Sequence, residues 1–142
     1  MKKKQNCLVI LSDGFGGHGG MAKFNREFLT SLANINKFNE IIAITRLLGE
    51  GNAEVPANID WDTSGVGSKP KYVVSVLRKC ISTKQVDYVI CGLINLLPLA
   101  WLTAKVKKAK LICIFHGIDI WHPNKDPLVN FLVPKVDQYI SV

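Results

Sequence analysis

Short, unbroken apolar runs alternate along this chain with stretches in which apolar residues return every three or four positions. The runs occupy residues 7–11, 41–45, 88–91, 111–115 and 138–142. They are continuous rather than alternating, as expected of strands covered on both faces. Between them, Met21, Phe24, Phe28 and Leu32 form a helical stripe, with Lys23, Arg26, Glu27 and Thr30 on the other side. Tyr72, Val73, Val76 and Leu77 begin a second stripe that continues to Ile81, and residues 96–106 supply a third, mostly buried helix. Alternating strand and helix predicts an α/β fold, doubly wound around a mainly parallel sheet with helices on both faces. Residues 48–71, richer in Gly, Asn, Pro and Asp, read as loops around one short strand near 58–60.

The junction between the first run and the first helix is Ser12-Asp13-Gly14-Phe15-Gly16-Gly17-His18-Gly19-Gly20. A strand, a turn without bulky side chains and a helix start bring unpaired backbone N–H groups together with the positive end of a helix dipole. A phosphate or sugar can approach such a turn closely. Glycines also serve simply to make tight turns, though this turn holds more of them than tightness needs. Gly14, Gly16 and Gly19 spell a G-x-G-x-x-G dinucleotide fingerprint, and Arg46 after the second run would suit a 2′-phosphate, so an NADP-binding oxidoreductase domain is one alternative and a non-enzymatic binding module is another. No Gly-Lys-Ser/Thr follows, which excludes a P-loop.

A second constellation is His116-Gly117 at the end of the run 111–115, followed by Asp119, Trp121 and His122. Ligands of open α/β sheets bind outside the carboxyl ends of the strands, so His116 and the glycine turn should face one crevice. An imidazole there donates to a hydroxyl or stabilises a leaving group, or else it is a structural histidine satisfied by backbone. His116, Asp119 and His122 lie three apart, but Gly117 and Pro123 argue against a regular helix and hence against a metal site. Trp121 is expected to pack or anchor the loop. Residues 88–104 carry no charge, yet Gly92, Asn95 and Pro98 interrupt them. A buried strand followed by a helix with Asn95 as N-cap and Pro98 in its first turn explains them better than a membrane span. No G-x-S-x-G elbow supports nucleophilic hydrolysis, and Asp60 and Asp62 sit where paired glycosidase carboxylates cannot be placed.

At 142 residues the chain suits a single domain, and the formal charge of +7 gathers at Lys2, Lys3 and Lys4, at Lys105, Lys107, Lys108 and Lys110, and at Arg78, Lys79 and Lys84. Such clusters either meet anionic lipid or form a solvated face. Nucleic acid is the weaker partner, because no aromatic-interleaved basic stretch or zinc-finger spacing accompanies the charge. Cys7, Cys80, Cys91 and Cys113 show no CxxC spacing and read as buried free thiols. With no signal peptide in view, a cytoplasmic protein is expected. The last run reads as a strand that a helix should follow, so the natural chain is expected to continue past Val142.

The segments GGHGGMAKFNREFLTSL, GLINLLPLAWL and LICIFHGIDIW resemble the N-terminal half of a GT4-type, GT-B-fold glycosyltransferase. The resemblance implies that residues 1–142 are one Rossmann-like domain, binding mainly the acceptor, with a C-terminal donor-binding domain missing. It implies a retaining transfer of a hexose-type group from a nucleotide sugar to a hydroxyl of a glycan or lipid-linked acceptor. It further implies that no metal or other cofactor takes part and that this half alone lacks turnover. Gly19 and Gly20 match the glycine pair that approaches the donor phosphate or sugar, and Lys23 matches a basic position one turn on. His116 matches the histidine near the transferred sugar. Asn95, Gly117 and Asp119 fall where cleft-lining residues are expected. Two departures stand out: Leu93 occupies a position where related sequences carry histidine, and the acidic Glu-x7-Glu motif is absent. Basic clusters on such an enzyme would suit peripheral contact with the inner membrane surface.

Overall fold

A computed structural model of the chain describes residues 3–51 and 54–142. Lys2 therefore lies outside the described residues. Six strands, β1 (Gln5–Leu11), β2 (Phe38–Thr45), β3 (Ile59–Asp62), β4 (Tyr88–Cys91), β5 (Lys110–Phe115) and β6 (Gln138–Ser141), form one sheet in the order β3-β2-β1-β4-β5-β6. Every pairing is parallel. This is the Rossmann-like, doubly wound arrangement, whose strand order reverses between β1 and β4.

The continuous apolar runs are explained by burial on both faces. In β1, Leu8 and Ile10 join a cluster with Tyr72, Val76, Leu97 and Ala100, while Cys7, Val9 and Leu11 join another with Leu29 and Leu32. The first face is covered by α2 (Lys69–Ser82), α3 (Leu97–Lys107) and α4 (Pro127–Leu132), the second by α1 (Gly20–Asn34). Right-handed crossovers place the helices this way. The β2–β3 connection has no helix, and on the α1 face Tyr88, Ile112 and Ile140, from β4, β5 and β6 on the far side of β1, are only partly buried. All four cysteines are free and buried. Burial pushes the Cys7 thiol up to about 12 and raises Cys91 as well, with Cys113 beside it adding to the shift.

Several helix details differ from expectation. The α2 stripe does not reach Ile81, which is 79 % exposed; Ser75 and Cys80 face the core instead. Ser75 is tolerated there because its hydroxyl pairs with Ser64 at 2.9 Å. Asn95 is not an N-cap. It sits in a 3-10 turn, Ile94–Leu96, and α3 starts after Leu96 with Pro98 in its first turn. Asn95 Oδ1 instead accepts from Asn124 Nδ2 at 2.8 Å. Trp121 anchors nothing by burial, being 72 % exposed. No helix of the described residues is long and apolar enough to cross a membrane.

Because the strands are parallel, their starts share one edge of the molecule and their ends the other. Lys3 and Lys4 precede β1, Lys37 precedes β2, Lys84 precedes β4 and Lys135 precedes β6. Lys105 and Lys108 close α3 just ahead of Lys110, the first residue of β5. Much of the scattered charge of the sequence thus shares one lysine-rich N-terminal edge, whereas Arg78 and Lys79 lie within α2, Lys79 paired with Asp60 of β3. The glycine turn and His116 lie on the C-terminal edge.

Candidate functional site

The glycines of the β1–α1 turn divide into two groups. Gly14, Gly16 and Gly17 are buried. A Cβ on Gly14 would stand 2.7 Å from the Trp61 ring, and one on Gly16, whose φ is +83°, 2.6 Å from the Gly51 carbonyl oxygen. A Cβ on Gly17 would collide with the Asp13 carboxylate. That part of the turn is also tied inward. Arg26 Nη1 donates to the Gly14 and Gly17 carbonyls at 3.2 and 2.6 Å, and Asn25 Nδ2 to the Asp13 carbonyl at 2.7 Å. Arg26, expected on the solvated side of α1, is therefore the clamp of the turn. A pyrophosphate has no room against Gly14 and Gly16.

Gly19 and Gly20 are the opposite case. Both are exposed, and a Cβ on either would meet nothing within 4 Å. Gly19 has φ +94°, so glycine is required there by backbone as well. It is the N-cap of α1 with no side-chain cap, and the first turn contains no acid. The first intrahelical bond runs from the Lys23 N–H to the Gly19 carbonyl, which leaves the N–H groups of Gly20, Met21 and Ala22 unpaired within the helix. Lys23 is exposed and 3.9 Å from Glu27, a weak surface pair.

His116 sits at the end of β5, half-buried, with its ring edge-on to Phe24 of α1 at 5.7 Å between centroids. That contact places it beside the start of α1, at the point where the strand order reverses. Its Nε2 is 3.1 Å from the Gly92 carbonyl. Its side chain also accepts the Asp119 backbone N–H, while Asp119 Oδ2 accepts the His116 N–H at 3.0 Å, a reciprocal cap on the 3-10 helix Gly117–Ile120. A carbonyl only accepts and an N–H only donates, so these partners define the Nε2–H tautomer. Both ring nitrogens are thus in use. Gly117 is open, its nearest neighbour to a Cβ being the Val142 carbonyl at 3.9 Å.

The structure brings Gly19, Gly20, Lys23 and His116 to one side of the C-terminal edge, with Asp119 capping the His116 loop and Gly117 open beside it. Asn95 is elsewhere, lining a cavity on the α2–α4 face together with Arg46. Asp119 and His122 line a third space, of about 480 Å³, with Trp121 and Tyr139. Among the described residues no three His, Cys, Asp or Glu side chains cluster as a metal site would require. Arg26 and Asn25 were not legible as site residues, since helical spacing gives their angular position but not that the turn folds back over them. No protein-family model matches the chain, and no curated protein matches it.

Proposed function

We propose that this chain is the acceptor-side, Rossmann-like half of a retaining sugar transferase of GT-B type, moving a hexose from a nucleotide sugar to a hydroxyl of a glycan or lipid-linked acceptor. The observation that supports this most is the open pair Gly19–Gly20 at an uncapped helix start beside His116. In this reading the unpaired N–H groups of α1 and the Lys23 ammonium meet the donor's phosphates, so charge on the leaving group is stabilised without a metal. His116 offers its Nε2–H to a sugar hydroxyl in exchange for Gly92, and the Asp119 cap keeps the ring oriented for it. A second domain supplies the opposite wall of the cleft, and without it positioning and catalysis fail. Although the Leu47 N–H reaches the Ser12 carbonyl at the foot of the glycine turn, the Arg46 side chain lines the cavity on the α2–α4 face, away from α1, so the geometry gives the NADP alternative little support.

Release of nucleoside diphosphate from a panel of nucleotide sugars, by the protein isolated from its source cells, tests the reading. Gly20→Val fills space that is empty and is expected to lower kcat/KM by about a hundredfold or more, with melting unchanged. Undiminished transfer by Gly20→Val, or no transfer from any donor by the natural protein, would sink it.

Peripheral contact with an anionic membrane belongs to the same proposal and is supported by the lysine-rich edge. Each lysine near an anionic surface contributes about 1 kcal/mol. Replacing Lys84, Lys105, Lys108 and Lys110 by glutamine should therefore weaken co-sedimentation with phosphatidylserine vesicles by roughly a thousandfold at low salt. Equal binding to neutral vesicles would refute it. That edge faces away from the crevice, which favours a glycan acceptor reaching in from solution.

A further inference from the structure

On the α2–α4 face, the C-terminal edge carries a cavity of about 450 Å³ that the transfer reading does not use. Arg46 just past β2, Lys69 in the first turn of α2 and Lys125 ahead of α4 converge on it. Arg46 reaches this face because side chains alternate along a strand: Ile42 and Ile44 pack with Tyr72 and Val76, and Arg46 continues their side. The floor is apolar, built from Tyr72, Leu96 and Val129.

None of the three cations has a carboxylate partner among the described residues. Asp126, the one acid on the wall, is committed to capping α4, its Oδ1 accepting the Leu128 N–H at 2.9 Å. Arg46 is half-buried on this wall, whereas Lys69 and Lys125 are exposed at its rim. Like charges held around one space repel, and an anion placed among them removes that cost. Three positive groups against one carboxylate leave an excess that matches a phosphate monoester, which carries about −1.5 to −2 near neutrality. A single carboxylate would leave part of it uncompensated. The start of α2, with no acid in its first turn, acts in the same sense.

We infer that this cavity binds a phosphate-bearing small molecule, with the phosphate between Arg46, Lys69 and Lys125 and the body of the ligand over the apolar floor. The inference goes beyond the transfer reading and stands without it, since it uses neither Gly19–Gly20 nor His116. Titration calorimetry with glucose 6-phosphate at low salt tests it, with uncharged glucose as control. Saturable one-to-one binding is expected for the natural chain, weakened about tenfold or more in Arg46→Gln and in the double variant Lys69→Gln/Lys125→Gln, both charge-assisted contacts being lost. Lys108→Gln, which removes the same charge from the opposite edge, should bind like the natural chain. Absence of saturable binding, or equal weakening by Lys108→Gln, overturns the proposal. The double variant alters only exposed side chains, so it decides the matter even if Arg46→Gln fails to fold.

Discussion

At the C-terminal edge of the sheet the chain turns through glycine, an uncapped helix start and a 3-10 helix. At the N-terminal edge, one strand length away, regular elements begin and end under a fringe of lysines. The seven residues of β1 separate the edges by roughly 23 Å. At physiological salt the Debye length is about 8 Å, so the lysine edge contributes little field at the crevice. Net charge therefore says nothing about what the crevice binds. In the proposed reading the two edges do different work, one presenting backbone to a ligand and the other presenting charge to a surface.

The contrast also runs within the glycine turn, and the largest effects on stability should fall there. Gly16→Ala combines a positive φ with a close approach to Gly51, and should cost roughly 2–4 kcal/mol, whereas Gly20→Ala, facing open space, should change stability by less than about 1 kcal/mol. Denaturant midpoints of the two variants check this. If they melt alike, the division of the turn into packed and open halves is wrong. Next in size is Arg26→Met, which removes charge-assisted bonds to the Gly14 and Gly17 carbonyls and should cost about 1.5–3 kcal/mol.

Alkali should act on the core rather than on either edge. The Cys7 thiol is raised to about 12 in the folded chain against 9.0 unfolded. Above pH 9 the unfolded chain releases a proton that the folded chain keeps, so stability is full below that point and falls between pH 9 and 12. The slope is about 1.4 kcal/mol per pH unit for each such group. Cys7→Ala should flatten the fall measurably, and an unchanged slope would contradict the burial. The smallest effect belongs to the lysine edge. The glutamine replacement of Lys84, Lys105, Lys108 and Lys110 should shift stability by about 0.5 kcal/mol or less while it removes vesicle binding.

Most of the fold was legible because its strands are covered on both faces and so appear as unbroken apolar runs. β4 was located to the residue, and β1, β2 and β5 began earlier than their runs because their first residues, Gln5 and Asn6, Phe38 to Glu40, and Lys110, are half-buried or exposed. The α2 stripe misled at Ile81 because Ser75 and Cys80 are small or polar by composition yet face the core. Asn95 misled because a 3-10 turn intervenes before α3, and a cap signal does not distinguish the two helix types. In the site, the position of Gly19–Gly20 and His116 on one edge followed from the parallel sheet. What spacing does not carry is which glycines pack, where Arg26 folds back, and that Arg46 turns to the other face. Each depends on residues distant in sequence: Trp61, Gly51 and Tyr72.

The most direct test of the account is a map of backbone amide shifts as a nucleoside diphosphate is titrated into the labelled chain. The account predicts that the shifts concentrate at Gly19, Gly20, Met21 and Ala22 and at His116 and Gly117. Shifts centred on the lysine edge around Lys105 to Lys110, with the glycine pair unmoved, would contradict it.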